Sequence, residues 1–527
     1  MNVEIGNVTR PFGRTPAAAV PVRHRTPRAA GAVPLNAARL LRVELRRNTM
    51  PWILPLIAAL FWFDSYRPSI GMSPLYELRT YWNLGQGHTI LDFGPFVAGV
   101  AAWMGSRDGR RGLADLVTAT VRPRWSAQLA TWAATAIWAV GAYLVFVGVM
   151  FAVYAHQGVT GTPPWWWVVA GTTAVTAFCA VGFAVGAYWP SRFAAPAAAF
   201  GGFLAMFLSF QIGFSHMSGW ALILPTNSHG TFDSGAQADS GIFYPWLPDL
   251  AIARIMFLAG IAVAALGLIG LPGRAGGPWL RRAAALVTLA GVALAGTAVG
   301  LASTARESAH GVVIPALDDA ANDAPITYTP ACARAAGVPV CVNPAYGRWL
   351  PDMTAALTPV LAEVAGLPGA PARAAQVAAS YPSGGNGPPQ PITAGGHPTV
   401  LRMQLGLLNM PGPCGFCIES TGTEQFADQV RLLFARAFVG AGNGSGSPVQ
   451  QAVQAALLRG AGIPFAAQPG LIAATENFPG AGPGPATGPV YAAAQRLATR
   501  PAAARHAWLA AHLAALRADR LTLKDLP

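Results

Sequence analysis

The feature that most constrains this chain is a series of long apolar runs joined by short connectors. The most informative connector is residues 106–125, SRDGRRGLADLVTATVRPRW. Clear runs cover residues 125–154, 165–188, 193–214, 250–271 and 279–302. Each meets or exceeds the roughly 20 residues with which a helix crosses a bilayer. Two weaker runs precede them, residues 51–66, which are short, and residues 84–104, which contain His88 and Asp92. With a mean hydropathy of +0.40 and 11% charged residues over 527 positions, the composition is too apolar for a soluble protein of this size. These observations predict an α-helical polytopic membrane protein of about seven transmembrane helices in residues 51–302, followed by a soluble α/β ectodomain in residues 303–527.

The connectors sort by charge. One set comprises the basic N-terminal tail, residues 106–124 with Arg107, Arg110, Arg111, Arg122 and Arg124, the 189–192 turn, and residues 272–282 with Arg274, Arg281 and Arg282. The other set, residues 155–164 and 215–249, holds no Lys or Arg; only Arg67 and Arg79 intrude in the first loop on that side. Positive connectors stay cytoplasmic, so the N-terminus is placed inside and the C-terminal domain outside the membrane. Trp165, Trp166 and Trp167 then mark an outer edge, and Trp125, Trp189 and Trp279 mark inner edges. The net charge of +13 could suggest nucleic acid, but the arginines gather in the tail and beside apolar runs, where membrane orientation accounts for them. No nucleic-acid partner is expected.

Residues 1–34 are rich in Pro, Ala and Arg without apolar periodicity and read as a disordered basic tail. No apolar core follows the early arginines, so no cleaved signal peptide is expected. Residues 35–50 place Leu41 and Leu45 one turn apart with Arg42, Arg46 and Arg47 beside them, the pattern of an amphipathic helix on the inner leaflet of the lipid bilayer. A nucleic-acid-binding arm is the competing reading, disfavoured because the first apolar run follows at once. Within the central connector, Leu113, Leu116 and Val117 recur at helical spacing while Asp115 and Thr118 fall elsewhere. That pattern fits a short surface helix pressing on a cytosolic partner, or a solvated connector whose arginines only set orientation. The run interiors are nearly free of charge; His88, Asp92 and Arg254 lie near run ends, and Asp92 is placed to cap a helix starting at Phe93. Energy for any transport should therefore enter from outside the membrane segment.

Beyond residue 303 the spacing predicts strands at 325–329 and 399–407, helices at 348–365, 423–439, 448–459 and 501–518, and loops at 380–397 and 440–447. Four of the five cysteines, Cys332, Cys341, Cys414 and Cys417, fall in this domain, where an oxidising compartment favours disulfides. The simplest pairing joins Cys332 to Cys341 and Cys414 to Cys417, although four cysteines allow about three pairings. PCGFC at 413–417 also fits a redox CxxC, while thiol oxidation disfavours a zinc site. Cys179, inside an apolar run, reads as packing. HExxH and GxSxG are absent, and His310, His397, His506 and His512 are scattered. Lys524, the only lysine, follows no glycine run, so this chain carries no P-loop ATPase and no metal or cofactor site is expected in it.

GRRGLADLVTATVRPRW at 109–125 resembles the first intracellular loop of permease subunits of ABC transporters of the exporter type-2 class, as found in actinobacteria. YTPACARAAGVPVCVNPAYGRWLP at 328–351, SPVQQAVQAALLRGAG at 447–462 and the closing RHAWLAAHLAALRADRLTLKDLP look like the extracytoplasmic region of one actinobacterial group of these permeases. The resemblance implies a separate ATP-binding subunit that carries ATP and Mg, a second permease half as homo- or heterodimer, and coupling contacts at Arg110, Arg111, Leu113, Asp115 and Leu116. A seventh run and a large outer domain depart from the common six-span plan, which leaves export or regulation open. The missing HExxH argues against the metallopeptidase activity of some relatives. Another class of function also fits the residues, a membrane-anchored receptor whose disulfide-tied ectodomain binds a ligand or partner protein. A third is thiol redox work at Cys414 and Cys417.

Overall fold

A computed structural model describes residues 33–66, 88–112, 124–156, 163, 165–215, 219–225, 242–271, 277–308, 311–319, 324–377, 400–403, 423–441, 446–465 and 488–527. Each of the apolar runs folds as a helix. After α1 (Val33–Arg47) come α2 (Met50–Tyr66), α3 (His88–Gly105), α4 (Arg124–His156), α5 (Trp165–Tyr188), α6 (Ala194–Ser215), α7 (Asp249–Gly270) and α8 (Gly277–Ala302). Four of them, α4, α5, α7 and α8, are long and apolar enough to cross a membrane. The described parts of α2, α3 and α6 contribute the shorter apolar stretches Met50–Leu60, Phe93–Gly105 and Ala194–Ser209. Because α3 begins at His88, Asp92 falls inside the helix instead of capping one at Phe93.

Small residues set the closest crossings. A Cβ on Gly182 or Gly186 of α5 would collide with the backbone carbonyl of Ala98 or Ala102 of α3, so these helices touch backbone to backbone. In α7 and α8, a Cβ on Gly260 would lie 2.7 Å from the Gly291 carbonyl oxygen, and one on Gly291 would lie 2.6 Å from that of Gly260. Apolar chains in lipid gain little from excluding water, so close van der Waals approach does the packing, and glycine permits it. Phe93, Tyr143 and Phe183 fill the core between these crossings.

The helices alternate in direction, and their ends are tied. At one end, Trp125 Nε1 of α4 donates to Leu266 O and the Tyr188 hydroxyl of α5 to Leu268 O, both near the end of α7. All the described basic turns lie at this end. At the other end, Arg254 of α7 donates to Leu222 O at 2.9 Å and lies 5.0 Å from the Trp167 ring.

The C-terminal domain packs helices on one face of a small mixed sheet of order β3-β4-β5-β6. Its strands are β3 (Ala331–Ala335), β4 (Val338–Val342), β5 (Arg373–Gln376) and β6 (Val400–Met403); a separate hairpin, β1 (Arg306–Ser308) with β2 (Gly311–Val313), follows α8. The β3–β4 pair is antiparallel, and the β4–β5 and β5–β6 pairs are parallel. The helices are α9 (Leu350–Glu363), α10 (Thr423–Val439), α11 (Pro448–Gly460), α12 (Pro489–Ala498) and α13 (Ala502–Arg517). Met353, Leu357, Phe426, Phe434 and Phe438 fill the core beneath Val340, Ala374 and Leu401 of the sheet. Four of the predicted helices recur within two residues of their expected ends, and α12 was not anticipated. Only β6 matches a predicted strand. Residues 325–329 lie outside the sheets, where Ile326 N–H donates to Phe243 O at 2.8 Å and Tyr328 stacks edge-on against Phe243.

Candidate coupling surface

The basic end of the helical domain is built around the close of α3. Ser106 ends that helix, its hydroxyl donating to Trp103 O at 3.1 Å, and the chain then makes the single turn Arg107–Arg110. Gly109 is required there, because a Cβ would collide with Pro190 in the turn between α5 and α6. The turn thus rests on a second basic connector.

Arg107 leaves this turn to meet α1. Its Nη1 and Nη2 donate to the two carboxylate oxygens of Glu44, each at 3.0 Å, in the bidentate geometry that guanidinium and carboxylate favour. Donating to Glu44 raises the pKa of the guanidinium above its ordinary value, against the opposing effect of partial burial, and Asp108 adds to it. Two more contacts pin α1. Trp138 Nε1 of α4 donates to Leu45 O at 3.0 Å, and Asn48 Nδ2 donates to Thr135 Oγ1 at 2.9 Å. Asn48 Oδ1 in turn accepts from Met50 N–H at 2.8 Å and starts α2. The stripe of Leu41, Glu44, Leu45 and Asn48 is therefore spent on protein, and α1 is part of the helical body.

The expected coupling residues divide. Arg110 folds back on α3, donating from Nη2 to Trp103 O at 2.9 Å with its guanidinium carbon 3.4 Å above the Trp103 ring. Desolvation against that ring, together with the charge of Arg111, lowers its pKa. Arg111 is exposed and caps the turn through its backbone. Leu113, Asp115 and Leu116, with the short helix expected around them, lie outside the described residues. Sequence reasoning missed Glu44 and Arg107 as a pair. The available signal was that Glu44 is the only acid in α1 and shares a helical stripe with Leu41 and Leu45.

At the opposite end the C-terminal domain is fastened to the helices. Asp249, fully buried at the start of α7, accepts from Ile314 N–H at 2.8 Å just after β2. Ile242 and Phe243, in the loop before α7, belong to the core of the C-terminal domain, while Trp246 packs on the helical core. Cys332 and Cys341 form a disulfide. They face each other across the β3–β4 pair, whose two-residue turn, Ala336 and Gly337 with φ of 48° and 81°, sets that register. Cys414 and Cys417 lie outside the described residues, and Cys179 is buried in α5. Among the described residues no three His, Cys, Asp or Glu side chains converge as a metal site. No family model, curated protein or solved structure matches the chain.

Proposed function

We propose that this chain is the membrane-spanning permease subunit of an ATP-driven transporter of the ABC exporter type-2 class, in a bacterial plasma membrane. In this reading all of α2–α8 cross the bilayer, with α1 on the inner leaflet, the basic turns on the cytoplasmic side and the C-terminal domain outside. The observation that carries it is the Glu44–Arg107 pair, which ties α1 to the basic turn at the head of the connector whose Arg110, Arg111, Leu113, Asp115 and Leu116 the sequence resemblance assigns to an ATP-binding partner. ATP binding by that partner closes its subunits and pushes on the joined surface. Because the turn continues into α3, and α3 meets α5 at Gly182 and Gly186, the push reaches the helix core as a rigid-body tilt. Two permease halves form one pathway, and its switching requires a difference in partner affinity between two states of the spans. ATP and Mg are held by the partner, and run interiors nearly free of charge agree with energy arriving from below. The Cys332–Cys341 disulfide supports an oxidising, extracytoplasmic side for the C-terminal domain.

Co-purification from membranes tests the reading. A nucleotide-binding subunit should accompany the chain, and replacing Leu113 and Leu116 by Asp should release it. Absence of any such partner, or retention of it by that variant, defeats the proposal. A second reading is favoured by the fastening of the C-terminal domain at Asp249 and Phe243, which suits a receptor whose outer domain binds a ligand or partner protein and signals through α7. Ligand-dependent change in the helices without any ATP-binding partner would select it.

A further inference from the structure

The outward face of α1 is strongly charged. Opposite the inward stripe of Leu41, Glu44, Leu45 and Asn48, of which the leucines are half-buried, the side chains of Arg39, Arg42, Arg46 and Arg47 are all exposed, with Val43 among them. Glu44, the one carboxylate of α1, is taken by Arg107, and among the described residues the four guanidinium groups meet no carboxylate.

The surroundings of α1 narrow the occupant. It packs on the side of α4, through Thr135 and Trp138. The side chains around it are apolar and open: Trp52 at the start of α2 is 87% exposed, and Ile137 of α4 is 50% exposed. A cationic stripe rimmed by bare aromatic and aliphatic groups matches a leaflet boundary, where phosphodiesters overlie acyl chains. A cytosolic protein would leave that apolar rim uncovered.

We propose that Arg39, Arg42, Arg46 and Arg47 bind the headgroups of anionic phospholipids, and that this lipid contact holds α1 in place and so steadies the Glu44–Arg107 junction. The inference rests on the membrane reading above and is independent of the ATP-binding partner.

The test uses the full chain in nanodiscs of phosphatidylcholine, with and without phosphatidylglycerol. Phosphatidylglycerol should raise the thermal midpoint, and the gain should vanish at about 1 M salt, where the screening length falls to about 3 Å. The variant R39Q/R42Q/R46Q/R47Q should lose the gain, while Arg→Lys at the same positions keeps it, because headgroup attraction requires charge and not a fork. Retention of phosphatidylglycerol, read by native mass spectrometry, should fall roughly fivefold for each arginine replaced. Equal gains in the parent and the Gln variant overturn the proposal. So does a matching gain from inorganic phosphate in phosphatidylcholine discs, which would assign the stripe to free phosphate. A Gln variant that keeps its lipid response but loses an ATP-binding subunit would assign the stripe to that protein instead. Both leaflets of a nanodisc share one composition, so the outcome does not depend on the sidedness or partner assumed for the transporter. Should the Gln variant not fold, the parent and the Lys variant carry the test, and a phosphatidylglycerol gain indifferent to salt refutes it.

Discussion

Glu44 and Arg107 meet through two hydrogen bonds of 3.0 Å although 63 positions separate them in the chain. The pair closes α1 against the end of α3. Removing either partner strands the other in a largely buried place, since the two side chains are 10% and 21% exposed. Glu44→Ala should therefore lower stability by about 1–3 kcal/mol, less than a fully buried pair would cost because solvent still screens the guanidinium. The exchange Glu44→Arg with Arg107→Glu should recover part of the loss. Thermal midpoints of the single and double variants in lipid check it, and strict additivity would mean that the two residues do not cooperate.

The glycines of α5 and α4 should respond in opposite directions. Gly186→Ala places a methyl group against the Ala102 carbonyl and should cost about 1–3 kcal/mol despite the better helix propensity of alanine. Gly141→Ala in α4 meets open space and should be neutral or stabilise by up to about 1 kcal/mol. Thermal stability of the pair in one lipid composition decides the matter, and similar effects at both sites would contradict the α3–α5 contact.

Asp249 fastens the C-terminal domain by holding the Ile314 N–H. Asp249→Ala leaves that buried amide without its acceptor, which should cost about 1–3 kcal/mol. Hydrogen exchange at Ile314 should accelerate while α10 and α11 keep their protection. Unchanged exchange at Ile314 would show that other contacts hold the junction.

Cys332→Ser with Cys341→Ser opens a ring whose ends are 9 positions apart, and the chain-entropy estimate for so short a loop is about 2–3 kcal/mol. The C-terminal domain should unfold at lower temperature, and its β3–β4 register should persist because the turn at Ala336 and Gly337 sets it independently. Thiol labelling on intact cells, before and after an impermeant reductant, reports both the disulfide and its side of the membrane. Labelling of Cys341 without reduction would argue against an oxidised pair.

Local order in the sequence was enough to locate most of the described helices, α12 excepted. Apolar run length sets where a helix can lie in lipid, and the α2–α8 boundaries follow it within a few residues, as do α9, α10, α11 and α13, whose apolar periodicity is continuous. The sheet was less legible. ACARA and RAAQ are poor strand formers in isolation, and they become β3 and β5 only by pairing with β4. The better β-formers near Ile326 and Tyr328 are instead drawn to Phe243 from a distant loop.

The candidate coupling surface divides along the same line. Its location in a basic connector could be read from charge alone, because the placement of arginine beside apolar runs is a one-dimensional property. Its construction could not. Which face of α1 turns inward, why Glu44 sits among leucines, and why Arg110 returns to Trp103 all depend on groups far apart in the chain, brought together only when the helices pack. Sequence periodicity specifies that a stripe needs a partner; tertiary packing decides which partner it meets, since desolvation and hydrogen-bond geometry act between elements and leave no trace in the spacing of one.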